Sequence, residues 1–157
     1  MNALAMLTAA ATVALALVAP QAQAQDWRLN PLYGSVTLNA GFLPDPHVRT
    51  VTAGGSVRVS FDNGCRGYVA NAPDYRLHYR SGRFPLSIYV RSSGDTILLV
   101  NGPNTEWYCN DDYQGLNPAI YLTNPSSGQY DIWVGTYGPS LISGSRLFIS
   151  EFQPFQY

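Results

Sequence analysis

The oxygen-bearing side chains best suited to holding a hard cation gather in one stretch, Asp95 to Tyr137, which also contains a cysteine and short apolar runs around Val100, Ile120, Ile132 and Val134. Asp95, Asn110, Asp111 and Asp112, with Asn117 as a further donor, are the residue types that supply calcium with its six to eight oxygens at a bend in the chain. Asp111 and Asp112 are adjacent. In an extended chain their side chains point apart, so they could share one ion only if the backbone turns there, which Asn110 and Gly115 favour. The chain has no Lys at all to offset two neighbouring carboxylates, and a divalent cation would relieve their repulsion. The competing reading is that Asp and Asn stand here as turn formers, hydrogen-bonded to their own backbone. The spacing does not match an EF-hand loop, and at this point both readings are open.

Other chemistry is sparse. There is no catalytic triad signature, phosphate loop or zinc motif. His47 follows Pro46 in a loop and His78 lies on a strand; a triad could be drawn on paper with the many Ser and Asp residues, but triads are recognised by geometry, not by inventory. Each His reads as a surface residue, and the geometric check is a pocket that brings one of them to a Ser and an Asp. Tyr75, Arg76, His78, Tyr79 and Arg80 form an alternating segment with an aromatic and a basic face. That segment is either a ligand surface for a sugar or an acidic peptide, or an ordinary half-buried strand with an Arg-rich solvent face. Cys65 and Cys109 are the only cysteines. In an exported chain they would form one disulfide, closing a loop of about 45 residues at roughly 4 kcal/mol on the chain-entropy estimate.

The elements that must position these groups are strands. Val36, Leu38 and Ala40 alternate with polar residues; Val48 to Thr52 and Val57 to Phe61 flank the turn Ala53-Gly54-Gly55-Ser56; further runs follow at Arg66 to Ala70, Tyr75 to Arg80, Leu86 to Val90 and Thr96 to Val100. Shorter strands are expected around Glu106 to Cys109 and Ala119 to Leu122, and longer ones at Gln129 to Thr136 and Arg146 to Phe152. Nine or ten short strands, separated by turn signals every 8 to 12 residues with no amphipathic helix, predict an all-β antiparallel sandwich or barrel. Period two places Val57, Val59, Phe61, Leu86, Ile88, Val90, Ile132, Val134, Leu147 and Ile149 inward.

Residues 1–24 read as a signal peptide: an Ala/Leu/Val run from Leu4 to Val18, then Ala22-Gln23-Ala24 as a cleavage site, although no Lys or Arg precedes the run. If the segment is kept, it is an anchor instead. No later stretch could cross a bilayer as a helix, and residues 25–157 fit a single domain. A net charge of −1 with interspersed signs disfavours nucleic acid and anionic membrane surfaces as partners. The expected location is secreted or periplasmic, in a bacterium.

At Asp95-Thr96, Trp107 to Asp112, Asn117-Pro118 and Ser127 to Gly135 the chain resembles the bacterial pre-peptidase C-terminal domain family, mainly over residues 86–151. The resemblance implies a jelly-roll-like β-sandwich that is secreted as an accessory module beside extracellular peptidases and binds calcium in some relatives. The absence of a catalytic domain here, the Cys pair and the Tyr/Arg-rich segment before Leu86 depart from that pattern. The function expected is therefore a non-catalytic accessory or binding module for an extracellular peptide or glycan, stabilised by calcium if the acidic turn is a site. The alternatives are a structural or assembly protein of the envelope and, more remotely, a hydrolase.

Overall fold

The computed structural model describes residues 25–156; the proposed signal segment, 1–24, lies outside the described residues. Eleven strands are present, one more than the upper expectation. They are β1 (Ser35–Asn39), β2 (His47–Ala53), β3 (Val57–Ser60), β4 (Arg66–Val69), β5 (Tyr75–Arg80) and β6 (Leu86–Arg91). After β7 (Thr96–Asn101) and a short 3-10 turn at Pro103–Thr105 come β8 (Trp107–Asn110), β9 (Ala119–Leu122), β10 (Gly128–Thr136) and β11 (Ile142–Ser150). Two sheets face each other. The four-stranded sheet runs β2-β11-β6-β9, antiparallel throughout. The seven-stranded sheet is built on β10, with β5 and then β1 along one edge and β7 and then β8 along the other. The β1–β5 pair is parallel, an exception to the antiparallel expectation.

Between the sheets lies one apolar layer. It takes Leu86, Ile88, Val90, Leu147 and Ile149 from the smaller sheet and Leu77, Leu98, Val100, Ile132 and Val134 from the larger. Seven of the ten residues expected inward are here. The other three, Val57, Val59 and Phe61, belong to a second layer with Val69, Ile97, Leu99, Trp133 and Cys109. Ile97 and Leu99 alternate with Leu98 and Val100, and Trp133 alternates with Ile132 and Val134, so this second layer lies on the outward side of the large sheet. The β3–β4 hairpin covers it. Central strands β7 and β10 are thus buried on both faces where the layers meet them; Asp131 and Trp133, on the outward side of β10, are 2% and 0% exposed. Similarly, Phe155 of the C-terminal tail packs back on Tyr89 with ring centroids 4.8 Å apart.

Two devices hold the hairpin over that face. Cys65, at the start of β4, is bonded to Cys109 of β8, with Cα atoms 5.9 Å apart. Close approach to β10 also depends on glycine, since a methyl group at Gly135 would stand 2.6 Å from the Tyr68 carbonyl oxygen and 2.7 Å from a Val69 methyl.

The edge of β10 changes partner midway. β5 pairs with it from Gly128 to Ile132, and β4 takes over at Thr136. Neither strand reaches Val134. Asp74, just before β5, fills the gap: its Oδ2 accepts the Val134 N–H at 2.7 Å and its own N–H donates to the Ile132 carbonyl at 2.8 Å. The Gly54 N–H donates to the Val134 carbonyl at 2.8 Å. Asp74 is 1% exposed and its Oδ1 has no hydrogen-bond partner. Burial pushes its pKa up to about 7, against the smaller opposing effect of the Val134 hydrogen bond.

Two predictions follow from these contacts. Replacing both cysteines by Ser should lower unfolding stability by roughly 4 kcal/mol, less any relaxation of the folded state, in urea titrations, and raise binding of an apolar dye as the Trp133 layer loosens. For Asp74, the folded pKa lies above the unfolded one, so the folded state binds more protons over the interval between them. Stability attributable to this group is therefore undiminished below about pH 4, falls as pH rises towards 7, and then levels off, a total of up to about 4 kcal/mol. Asp74→Asn keeps an acceptor for Val134 and carries no charge. It should flatten that part of the stability–pH curve and be more stable than the parent at pH 8; an unchanged slope would place the titration elsewhere.

Candidate ligand-binding site

Beyond the hairpin, the outward face of the large sheet is polar. Gln129 and Asp131 precede Trp133 at alternate positions of β10, Asn101 ends β7 opposite Asp131, and Arg76 of β5 lies across from Asp131 on the other side. These side chains are tied together: Arg76 Nε donates to Asp131 Oδ1 at 2.6 Å and Gln129 Nε2 donates to Asp131 Oδ2 at 2.7 Å. Arg76–Asp131 is the one ion pair among the described residues, and with Asp131 2% exposed it is screened little by solvent.

The same arginine positions an aromatic residue. Its Nη2 donates to the carbonyl oxygens of Trp27 and Leu29, at 2.5 and 3.0 Å, and fixes the lead-in segment over the sheet. That segment is further held by the Asp26 N–H on the Asn71 carbonyl and the Leu32 N–H on the Pro73 carbonyl. The Trp27 ring is left 39% exposed, with the Arg28 guanidinium 5.1 Å from its centroid.

Trp27, Asn101, Gln129 and Asp131, together with the turn Gly102 to Thr105, enclose a pocket of about 230 Å³. The turn is strained. Asn104 and Thr105 take φ of 65° and 64°, and for a β-branched residue such as Thr this conformation is a genuine outlier that costs on the order of 1 kcal/mol or more. Trp107, the register partner of Asn101, is a second half-exposed indole, 5.5 Å from Trp133. Away from the pocket, Gln129 also borders a shallow groove with Thr37, Asn39, His78 and Arg80. An aromatic plate beside amide and carboxylate groups suits a ligand with both an apolar face and many hydroxyls.

The sequence-derived ligand segment is split by the structure. Tyr75 and Tyr79 are 4% and 3% exposed, inside the core, which corrects their assignment to a ligand surface. Arg76 is engaged with Asp131 and the lead-in. His78 and Arg80 do reach solvent, in the groove next to Gln129. Trp27, Asn101, Gln129 and the Asn104–Thr105 turn were not singled out from sequence; the signal available was an isolated Trp in a polar lead-in, without any sign of what would hold it.

Neither histidine meets a Ser or an acid among the described hydrogen bonds. His47 Nε2 is 3.0 Å from the Tyr75 hydroxyl, and burial, then Arg49, lower its pKa. The acidic turn is brought close to Asp95 and, through the disulfide, to Arg66. Burial raises the Asp95 pKa, and the charges of Asp112 and Asp111 add to it; Asp111 in turn acts on Arg66. Asn110 Oδ1 accepts the Ala119 N–H at 3.0 Å and Asn117 Oδ1 accepts the Ser92 N–H at 2.9 Å, so both amides have turn-forming duties. Among the described residues no three His, Cys, Asp or Glu side chains converge as metal ligands.

No protein-family model and no curated protein matches the chain, which neither supports nor contradicts the pre-peptidase resemblance. Among solved structures, the crystal structure of Aeromonas hydrophila PliG, a periplasmic lysozyme inhibitor of g-type lysozyme, aligns at 17% identity with a TM-score of 0.36, covering 74% of this chain and 96% of that one. A likeness of that degree carries no functional argument.

Proposed function

We propose that the chain is a secreted or periplasmic non-catalytic binding module, and that a glycan binds on the outward face of its larger sheet. The observation that carries this reading is the pocket of Trp27, Asn101, Gln129 and Asp131 beside a backbone-strained turn. A sugar ring would lay its C–H face on Trp27 and direct hydroxyls to the Asn101 and Gln129 amides, while the Arg76–Asp131 pair holds the pocket wall in place. The groove past Gln129 towards His78 and Arg80 gives room for further sugar units. An extracellular peptide is the other ligand class expected from sequence; the row of amides and the exposed indoles favour the glycan.

Calcium enters the proposal only as a stabiliser of the corner formed by Asp95, Asp111 and Asp112. In the structure Arg66 is hydrogen-bonded to the Tyr137 hydroxyl, and the carboxylates would have to draw together to ligate one ion.

A glycan array, followed by calorimetry on the oligosaccharides it selects, tests the main reading. Trp27→Ala should weaken binding by about 2 kcal/mol, roughly thirtyfold, with the melting temperature little changed because the ring is half exposed. The g-type lysozyme that the Aeromonas protein inhibits is included as a protein probe; binding to it that Trp27→Ala leaves intact would move the function off this groove. For calcium, melting in millimolar metal should give a higher midpoint than melting in chelator, and Asp111→Ala with Asp112→Ala should remove the difference. Coincident curves for the parent would leave these residues as turn formers.

A further inference from the structure

A second concavity, of about 220 Å³, lies between the loop from Gly41 to Asp45 and the end of β11. Its walls are apolar: Phe42, Leu43, Phe84 and Phe152. Three of these are unusually open to solvent, Leu43 at 89%, Phe152 at 45% and Phe84 at 44%. The polar part consists of two carboxylates, Asp45 and Glu151. Glu151 accepts the Gly41 N–H through both oxygens, at 2.9 and 2.8 Å, and the Tyr79 hydroxyl at 2.8 Å. Asp45 Oδ2 accepts the Glu151 N–H at 3.0 Å, whereas its Oδ1 is buried with no partner. Among the described residues neither carboxylate belongs to an ion pair.

Two negative groups thus sit in an apolar cup with one buried acceptor unfilled, an arrangement that disfavours anionic and neutral ligands and favours a cation with an apolar stem. An inorganic cation would use the oxygens and leave the walls exposed. Arginine uses both. Its methylenes can lie against Leu43 and the rings, its guanidinium can stack on an aromatic face, and its planar fork can pair with the Asp45 and Glu151 carboxylates that line the cup. We propose that this cup receives an arginine side chain from a protein partner, with Leu43 packing against the partner residues on either side. This surface uses none of the residues assigned to the glycan pocket.

The test is an NMR titration of the protein with n-propylguanidinium, the arginine head and stem alone. Saturable amide shifts are expected at Gly41, Leu43, Phe84 and Glu151. Asp45→Asn retains an acceptor for the Glu151 N–H and should weaken binding by at least about tenfold. The peptide acetyl-Leu-Arg-Leu-amide should bind at least about tenfold more tightly than propylguanidinium, with Leu43→Ser abolishing that gain. The proposal is overturned if n-propanol gives the same shifts, if calcium alone reproduces them, or if Asp45→Asn binds as well as the parent. It is equally overturned if the peptide gains nothing over the bare head group, since the cup would then hold small cations and dock no protein.

Discussion

The structure depends on β10 leaving no backbone group unpaired in the stretch from Ile132 to Thr136, where apolar layers press on both of its faces. A strand in that position can leave no backbone group without a partner, because water cannot reach it to compensate. β5 and β4 share one edge and leave a gap at Val134, which the Asp74 carboxyl closes on the N–H side and the Gly54 N–H on the carbonyl side. Because this acceptor comes from a side chain, β5 can diverge from the sheet and the β3–β4 hairpin can rise over the outward face without breaking the ladder. The second apolar layer, the hairpin and the disulfide all follow from that change of partner.

Much of the architecture was legible because period-two alternation reports burial directly: Leu86, Ile88 and Val90, and likewise Leu147 and Ile149, point where their spacing says they should. Alternation does not say which layer a residue enters. Val59 is buried and Val57 and Phe61 partly so, but as the hairpin's own contribution to the second layer, on the far side of the sheet from the main core. Asp131 and Trp133 show the same thing, since their face is outward in the sandwich and nevertheless covered. The run Thr96 to Asn101 had offered the clue, since an uninterrupted apolar strand is what burial on two faces looks like.

The candidate site was harder to read because its parts meet only through contacts distant in sequence. Trp27 gains its position from Arg76, 49 residues on, and Arg76 from Asp131, 55 residues further. Local pattern carries none of this. The acidic turn is likewise positioned by a distant contact: the bond from Cys65 to Cys109 brings the turn before β4 beside Asn110 to Asp112, while Arg66 itself is hydrogen-bonded to the Tyr137 hydroxyl.

The hairpin that covers Trp133 has a consequence for the life of the chain before oxidation. With thiols in place of the disulfide, β3 and β4 are held by the register pair Thr136–Tyr68, the Asn63 amide on the Cys109 carbonyl, Arg66 on the Tyr137 hydroxyl and packing of a small apolar layer. Opening such a flap exposes Ile97, Leu99 and the full indole of Trp133 as a flat apolar plate in the middle of a sheet, the kind of surface on which chains aggregate and chaperones act. Bond formation thus acts as a latch that keeps the hairpin over the Trp133 layer.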